Sequence, residues 1–339
     1  MQLNKFIRHS SINNEVNNLV KLLKVHGSEN KFFILDQTLL ETPLNDNELK
    51  AVAINFCYNI LGGADGLLVI DTSENCLGKM RVINADGSEA KMCGNGLRTV
   101  SRYLSEKYQL DNFKIETMES DLDVEKAPDL YNGVPAFSVE ISPISFQKAD
   151  LPFSYKQNDE MIDMMVPEFL PDQSFTAIAV PNPHLISFVP EVSQLELGDL
   201  GQKLNGKNEY FPEGVNVSFS QILDTNKIFV QTYERGVGFT NACGTGMSAT
   251  SLAFAMLHPD KFDPDKEISV YNPGGMVKTK ITLDPVKENS KLRLIGNATF
   301  THTLEVSEFN LHNNNLNDID VAETGEEKDY QAFVESISQ

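Results

Sequence analysis

Two short stretches of the chain contain residue types suited to moving protons, and the stretches resemble each other. Each reads Cys-Gly-X-Gly, with the cysteine at Cys93 in the first and at Cys243 in the second. Each opens an apolar, helix-forming run, and the residues that precede the two cysteines align without a gap. Because a fold has no reason to place free cysteines at both matching helix starts, we predict that the two cysteines form one active site.

A thiol at the start of a helix has surroundings that favour its anion. The unpaired N–H groups and the positive end of the helix dipole can lower the pKa of a cysteine below its ordinary value of about 8.5. The glycine that follows lets the backbone approach a ligand, and the same N–H groups suit a carboxylate. We therefore expect each motif to supply a thiol of lowered pKa and half of a carboxylate cradle.

Two such motifs facing each other would allow inversion of a carbon centre without a cofactor. One thiolate would remove the proton from the Cα beside the carboxylate, and the other thiol would protonate the opposite face. Hydrogen-bond donors aimed at the carboxylate oxygens would contribute most to stabilising the carbanion. Proton transfer by each thiol would increase the reaction rate by about 10²–10⁴-fold. A structural alternative stays open, because buried cysteines and Gly-X-Gly turns are common and one motif alone is weak support for catalysis.

Length and composition limit the class of protein. With 339 residues, the chain is long enough for two domains, and 41% hydrophobic and 22% charged residues are ordinary for a soluble globular protein. The net charge of -20 argues against nucleic acid as a partner. No apolar run is long enough to span a bilayer, and the N-terminus lacks the apolar stretch of a secretory signal. We expect a cytoplasmic protein without a membrane partner.

The remaining cysteines do not indicate a metal or a disulfide framework. Cys57 and Cys76 complete the set of four, and no pair has the C-x₂-C spacing of a zinc site. We predict four free thiols, no metal and no cofactor.

Local patterns around the motifs predict an α+β fold. Alternating apolar residues indicate a strand–turn–strand hairpin over residues 22–36, followed by a helix at 48–58 and further strands. The second half repeats this order, including a long helix after its Cys-Gly-X-Gly motif. We predict two pseudo-symmetric domains, each with a mostly antiparallel or mixed sheet around a central helix, and an active site in the cleft between them.

The predicted domain boundaries follow from this repeat. The N-terminal domain covers residues 21–141 and is completed by a strand at 296–308, and the C-terminal domain covers 142–295. Residues 1–20 and 309–339 are extensions. The second of these is acidic and poor in apolar residues, so we predict a mobile tail, either disordered or a loosely docked helix, without a catalytic role.

Five stretches of the sequence match one known family. The two long ones are NADGSEAKMCGNGLR at 84–98 and YERGVGFTNACGTG at 233–246, and the short ones are HGSEN at 26–30, PNPH at 181–184 and FPEGVNV at 211–217. Over residues 21–308 the chain resembles the diaminopimelate epimerases, which are PLP-independent amino acid racemases and epimerases. The resemblance implies epimerisation of LL- to meso-diaminopimelate by a two-base thiol/thiolate mechanism in lysine and peptidoglycan precursor biosynthesis, without a cofactor. It also implies a homodimer.

The resemblance assigns roles to individual residues. Cys93 and Cys243 correspond to the catalytic pair, and His184 and Glu234 flank the reacting centre. The residues that match substrate contacts are Asn30, Asn84, Gly94, Asn95, Asn182, Asn216, Glu234, Arg235, Gly244 and Thr245. A substrate with two amino acid heads needs a cation and amides at its far end, which Arg235 and the asparagines would supply. Structural alternatives stay open: the asparagines could cap turns, His184 could be satisfied in its turn, and Arg235 could pair with Glu234.

Four positions depart from the family pattern. Glu29 stands where glycine is common, Gly66 where some members have glutamine, Gly214 where arginine is common and Phe239 where glutamate is frequent. They concern how the substrate is bound. Two alternative functions stay open. One is a related PLP-independent racemase that acts on another amino acid such as histidine or proline, and the other is a non-catalytic amino-acid-binding protein.

Overall fold

The computed structural model describes residues 18–316 and 318–337, and this part of the chain has the predicted α+β class. The strands are β1 (Leu19–Gly27), β2 (Asn30–Asp36), β3 (Gly66–Asp71), β4 (Gly78–Asn84), β5 (Glu89–Ala90), β6 (Asn112–Glu116), β7 (Asp121–Tyr131), β8 (Val134–Glu140), β9 (Met164–Met165), β10 (Ser174–Ala179), β11 (Pro183–Phe188), β12 (Asn216–Asp224), β13 (Lys227–Glu234), β14 (Gly238–Phe239), β15 (Ile268–Asn272), β16 (Gly275–Thr282), β17 (Lys291–Asn297), β18 (Thr299–Ser307) and β19 (Asp320–Glu323). The α-helices are α1 (Asp46–Asn59), α2 (Gly94–Tyr108), α3 (Gln194–Asn205), α4 (Gly244–Leu257), α5 (Glu308–His312) and α6 (Glu326–Ile337).

The hydrogen-bonded order of the strands occurs twice. In the first half, β1 and β2 are antiparallel, β2 and β3 parallel, β3 and β4 antiparallel, β4 and β6 parallel, and β6, β7 and β8 antiparallel. In the second half, β10 to β13 and then β15 to β17 follow the same succession of parallel and antiparallel pairs. The internal repeat predicted from the two cysteine motifs is therefore present in the topology.

Two strand pairs join the halves. The last strand of the first half, β8, pairs antiparallel with the last strand of the second half, β17. The chain then returns to the first half, where β18 pairs antiparallel with β1 along its length. The seam between the halves is therefore a ladder of backbone hydrogen bonds between β8 and β17, which leaves no open strand edge there. The domain boundaries at 141 and 295 stay a prediction.

The helices that follow the cysteines are the most buried elements. Helix α2 buries residues 94–102 without interruption, and α4 buries residues 244–255. Both helices contribute to one apolar cluster, which contains Leu97 of α2 and Met247 of α4. A helix buried on all sides has little freedom to shift, so the first turn of each helix is held firmly in place.

Of the two predictions for residues 309–339, disorder is wrong for the residues that the structure describes, where a helix packs against the body. Strand β19 extends the sheet by pairing antiparallel with β18, and α6 packs against the body with Tyr330 and Phe333 only 1% and 2% exposed. Low average hydrophobicity hid these two aromatic residues, which are three positions apart and therefore share one face of the helix.

The structure describes the predicted N-terminal extension from residue 18 onward. Strand β1 begins at Leu19, earlier than the strand start predicted near residue 22, because β18 provides a partner for this end. Residues 1–17 of the predicted extension lie outside the described part of the chain.

Candidate active site

Each cysteine of the repeated motif is the N-cap residue of a buried helix. Cys93 precedes α2 and Cys243 precedes α4, both with extended backbone conformations. The N–H of Gly96 donates a hydrogen bond of 3.4 Å to the Sγ atom of Cys93. The Cys93 thiol therefore caps free N–H groups of its helix start, whereas the Cys243 side chain forms no such capping hydrogen bond.

The two helix starts lie side by side. The side-chain amide of Asn95 in α2 donates to the carbonyl oxygen of Ala242, which directly precedes Cys243, at 3.4 Å. A Cβ atom placed on Gly94 would lie 3.2 Å from the Cδ2 atom of Leu294, and one placed on Gly244 would lie 3.1 Å from the same atom. Because both glycines lie against one methyl carbon, the structure brings the two motifs together.

The second glycine of each motif is required by close packing. A Cβ atom on Gly96 would come within 2.7 Å of Leu68, and one on Gly246 would come within 2.8 Å of the hydroxyl of Thr232 and 3.2 Å of the Sγ atom of Cys243. Contacts this short do not occur between real side chains without displacement. The repeated glycines thus let each helix start lie directly under its thiol.

Polar side chains of the first half surround Cys93. The Oδ1 atom of Asn30 accepts from the amide of Asn95 at 3.2 Å and from the thiol of Cys93 at 3.7 Å. The amide of Asn30 donates to the carboxylate of Asp65 at 2.7 Å. Asp65 was not singled out from the sequence, and its position in the glycine-rich turn before β3 gave no signal of this role. Asn30 is therefore at the site, oriented by Asp65.

The surroundings of Cys243 contain a carboxylate. Glu234 at the end of β13 interacts with the Cys243 thiol and also accepts a hydrogen bond from the hydroxyl of Thr240. The hydroxyl of Thr245 lies 3.7 Å from the Sγ atom of Cys243. Burial raises the pKa of Glu234 above its usual range. The second thiol thus faces an acid, whereas amides surround the first.

The prediction of lowered thiol pKa values is wrong. Burial raises the pKa of Cys93 to about 11, although the N–H groups of Gly96 and Asn95 and the charge of Arg98 act in the opposite direction. Burial raises the pKa of Cys243 well above its usual range, and the carboxylate of Glu234 adds to the effect. Loss of water around a thiolate outweighs the stabilisation that a helix start provides.

Four predicted site residues of the second half form one connected group. The imidazole of His184 is fully buried, and its Nε2 atom lies 3.2 Å from the Oδ1 atom of Asn182. Asn216 lies beside His184 in the parallel pair of β11 and β12, and its Oδ1 atom accepts from the backbone N–H of Arg235 at 2.8 Å. Its amide donates to the carbonyl oxygen of Pro183 at 3.0 Å.

The imidazole of His184 is neutral and only partly satisfied. Burial lowers its pKa to about 3, and the charge of Arg235 contributes. Its Nδ1 atom has no hydrogen-bond partner among the described residues. An orphaned buried nitrogen in native protein calls for a missing partner such as a ligand or water, so the alternative of a fully satisfied turn histidine does not hold.

Arg235 is exposed and available to an anion. Its Nη1 atom donates to the carbonyl oxygen of Glu213 at 3.1 Å, and no carboxylate within residues 18–316 and 318–337 forms an ion pair with it. The alternative in which Arg235 only pairs with Glu234 is therefore not observed. A guanidinium without an acidic partner, next to buried amides, suits the carboxylate of a ligand.

Asn84 is the predicted residue with the weakest link to the cysteines. Its side-chain amide donates to the hydroxyl of Ser88 at 2.9 Å, and its backbone carbonyl oxygen accepts from the N–H of Gly87 at 2.9 Å. These are the contacts of a turn, as the structural alternative proposed. Asn84 lies opposite Gly66 in the pair of β3 and β4, next to the Asp65 that holds Asn30.

Three of the four positions that depart from the family pattern have local explanations. Gly214 has φ +74, and a Cβ atom there would lie 2.5 Å from the Oδ1 atom of Asn205, so this backbone accepts only glycine comfortably. Glu29 accepts a hydrogen bond of 3.1 Å from Asn241, two residues before Cys243. The ring of Phe239 packs edge-on against Tyr233 at 5.4 Å. None of these positions displaces a residue of the site.

Other features of the described residues do not compete with this site. No group of three or more His, Cys, Asp or Glu side chains among them could hold a metal ion, and none of their helices is long and apolar enough to cross a membrane. A cavity of about 560 Å³ lies on the first half, but its charged side chains already have partners: Arg81 pairs with Asp46 and Glu89, Lys79 pairs with Glu116, and Asp71 accepts a hydrogen bond from Gln37.

Comparison with known sequences gives one consistent result. The model of the diaminopimelate epimerase family matches residues 22–132 and 176–300. Proteins named diaminopimelate epimerase from Ligilactobacillus salivarius, Lactiplantibacillus plantarum and Enterococcus faecalis are 50%, 48% and 47% identical to this chain. In each case the similarity covers 94% of this chain and 99% of the relative.

Comparison with solved structures identifies the fold. A phenazine biosynthesis protein of the PhzF family from Bacillus anthracis superposes with a TM-score of 0.61 at 16% identity, covering 85% of this chain and 99% of that one. A hydroxyproline epimerase from Agrobacterium vitis superposes with a TM-score of 0.54 at 12% identity, covering 90% of this chain and 91% of that one. At such identities the likeness concerns the fold alone.

Proposed function

The chain belongs to the diaminopimelate epimerase family, and we propose that it is an isomerase that converts LL-diaminopimelate to meso-diaminopimelate with two thiols and no cofactor. The observation that carries the proposal is the pairing of Cys93 and Cys243 as N-caps of two adjacent buried helices. Relatives that share about half of all residues bear the name of this activity. The product would serve lysine and peptidoglycan precursor biosynthesis.

The proposed chemistry begins with a carboxylate held between the helix starts. Backbone N–H groups of Gly94 and Asn95 on one side, and of Gly244 and Thr245 on the other, bind its oxygens. One cysteine, as thiolate, takes the proton from the adjacent Cα, and the electron pair of the broken C–H bond moves into the carboxylate. The N–H groups stabilise this charge as it develops. The other cysteine, as thiol, then gives its proton to the opposite face of the same carbon.

The carboxylate of Glu234 suits the acid step of this reaction. A carboxylate next to a thiol disfavours the thiolate, so Glu234 keeps Cys243 protonated until the carbanion has formed. After the transfer, the raised pKa of Glu234 makes proton exchange with the new thiolate easier. The unsatisfied Nδ1 atom of His184 provides a further polar contact for the substrate.

The far end of the proposed pocket explains the choice of a substrate with two heads. The exposed guanidinium of Arg235 would bind the second carboxylate, and the amides of Asn182 and Asn216 would bind next to it. Asn30, and Asn84 through its neighbouring turn, would complete the pocket from the first half. A monocarboxylic amino acid would leave Arg235 without its partner. We further propose a cytoplasmic homodimer without nucleic acid or membrane partners.

Exchange of the substrate α-proton in D₂O tests chemistry and substrate together. We expect deuterium incorporation and inversion, followed by NMR, with LL-diaminopimelate and not with histidine or proline. The rate of inversion should fall by about 10²–10⁴-fold in Cys93→Ala and in Cys243→Ala. Each variant should still exchange the α-proton of the one stereoisomer that faces its remaining thiol. Cys76→Ala, which removes a thiol outside the site, serves as the control and should behave as the wild type.

The possible failures have different meanings. Exchange with histidine or proline but not with diaminopimelate would assign another substrate to the same mechanism. Binding of diaminopimelate without any exchange would indicate the non-catalytic binding protein. Full inversion in both single cysteine variants would rule out the two-thiol mechanism itself.

A further inference from the structure

Besides the exposed Arg235, a buried cation lies next to the cysteine pair. Arg98, in the second turn of α2, is fully buried. Its Nη1 atom donates to the Oδ1 atom of Asn95 at 3.0 Å, its Nε atom to the carbonyl oxygen of Asn297 at 3.1 Å, and its Nη2 atom to the hydroxyl of Ser28 at 3.2 Å. One of these contacts is to a residue of the proposed carboxylate cradle.

The guanidinium occupies a slot formed by two glycines. A Cβ atom on Gly27 of β1 would lie 2.8 Å from the Nη2 atom of Arg98, and one on Gly296 of β17 would lie 2.8 Å from its Nε atom. Any other residue at either position would displace the guanidinium. Because β1 belongs to the first half and β17 to the second, strands of both halves hold this one side chain.

The charge of Arg98 has no acidic partner. Its three acceptors are neutral, and no carboxylate within residues 18–316 and 318–337 pairs with it. Arg102, one helical turn further along α2, is also buried but forms ion pairs with Glu106 and Glu326 at 2.7 and 2.6 Å. A buried charge without compensation is unfavourable, so the location of Arg98 calls for an anion.

The site supplies two candidate anions, the thiolate of Cys93 and a bound carboxylate. Burial lowers the pKa of Arg98 to about 10, which leaves the side chain protonated at neutral pH. Its charge opposes the effect of burial on Cys93, whereas Glu234 on β13 reinforces that effect. The other titratable group that faces Arg98 is the phenol of Tyr330 on α6, which is neutral at this pH because burial raises its pKa.

We propose that Arg98 is a positioning residue of the epimerase, whose fixed charge favours the thiolate at Cys93 over Cys243 and whose bond to Asn95 holds the carboxylate cradle. The proposal depends on the function proposed above. The two thiols then differ before substrate binds: Cys93 lies near an uncompensated cation and Cys243 beside the carboxylate of Glu234. Arg98 acts through Cys93 and Asn95 and does not contact the substrate.

The pH dependence of Cys93 alkylation tests this proposal directly. Intact protein is treated with iodoacetamide at a series of pH values, and modification of each cysteine is followed by peptide mass spectrometry. An opposite charge at close range changes a pKa enough to alter the thiolate fraction about tenfold or more. We therefore expect Arg98→Met to slow alkylation of Cys93 at pH 8 by about tenfold or more, with a smaller effect for Arg98→Lys, which keeps the charge.

Arg102→Met is the matched control, because it removes an arginine of the same buried helix whose charge is already neutralised. We expect its Cys93 alkylation to follow the wild-type pH profile. An Arg98→Met protein that is folded by circular dichroism and has the wild-type profile would overturn the proposal. So would an equal change in the Arg102→Met protein.

The wild-type protein provides a test that does not require the variants to fold. Half-maximal alkylation of Cys93 should occur at a lower pH than that of Cys243, and the reverse order would overturn the proposal. Alkylation does not require turnover, so the result is independent of the substrate. If diaminopimelate is not epimerised but the alkylation profiles follow this order, the proposed function fails while the role of Arg98 in thiol ionisation stands.

Discussion

Cys93 and Cys243 illustrate what residue types and spacing can and cannot predict. Their pairing follows from sequence, because the two motifs repeat in register and each begins a helix. The direction of their pKa values does not, because the cost of removing a thiolate from water depends on burial by segments far away in the chain. Arg98 was visible within a signature stretch, but a sequence does not distinguish a buried cation from a solvated one.

Cys57 shows the same effect of burial away from the site and gives a prediction about stability. Burial raises its pKa to about 12, whereas a cysteine in the unfolded chain has a pKa of about 8.5. The neutral thiol therefore stabilises the folded state fully below about pH 8.5, and this contribution is lost as the pH rises toward 12. Between pH 8 and pH 10 the loss from this one group amounts to about 2 kcal/mol.

Urea unfolding at both pH values measures this difference. The Cys57→Ala protein should lose about 2 kcal/mol less than the wild type when the pH is raised from 8 to 10. Between pH 6 and pH 8 the two proteins should have the same pH dependence, which controls for the cavity that the substitution leaves. Parallel behaviour over the whole range would show that Cys57 does not titrate differently in the folded and unfolded states.

At the scale of elements, the strongest local sequence patterns were sufficient to predict a strand or helix, and the weakest were not. The hairpin of β1 and β2 and the helices after both cysteines were predicted from periodicity and turn residues. Helix α6 was predicted only as an alternative to disorder, because its composition is acidic and the burial of its two aromatic residues depends on the surface that they contact. That surface includes Val134 in the first half and the turn at Gly274, to which the hydroxyl of Tyr330 donates at 2.7 Å.

Helix α6 is expected to depend on Phe333 for its attachment. Phe333 is 2% exposed and packs with Val134 and Tyr330, and truncation of a buried phenylalanine costs about 3–5 kcal/mol. The attachment of one short helix does not exceed this energy by much, so Phe333→Ala should release α6 while the rest of the fold persists. Residues 326–337 should then become accessible to proteases and lose protection from hydrogen exchange.

Gln331→Ala is the matched control, since it alters an exposed residue of the same helix. It should keep the wild-type digestion pattern. If Phe333→Ala protein digests as slowly as the wild type within α6, the aromatic contact is not what holds the helix.

For the whole molecule, the decisive feature is that two copies of one strand order meet through β8 and β17 and bring equivalent helix starts together. A repeat in the sequence predicted the two halves, but not the seam, because the strand pairing between the halves leaves no periodic signal. Strand β18, which follows the second half, pairs with β1 at the start of the first half and so adds a second connection. The two helix starts that would hold the carboxylate are thereby adjacent across the seam.

Mild oxidation probes whether both thiols reach the same point between the halves. A disulfide requires Cα atoms about 4.4–6.8 Å apart, so it forms only if the two thiols face each other at short range. We predict that oxidation joins Cys93 to Cys243 and abolishes activity, and that dithiothreitol restores it. Because the bond closes a long loop, the oxidised protein should also be more resistant to urea, by about 4–5 kcal/mol at most. Mass spectrometry of unreduced peptides identifies the pair, with Cys57→Ala and Cys76→Ala as controls that should leave the cross-link unaffected.

Retention of activity with both thiols still free after oxidation would show that the two motifs do not face each other closely enough for two-thiol chemistry.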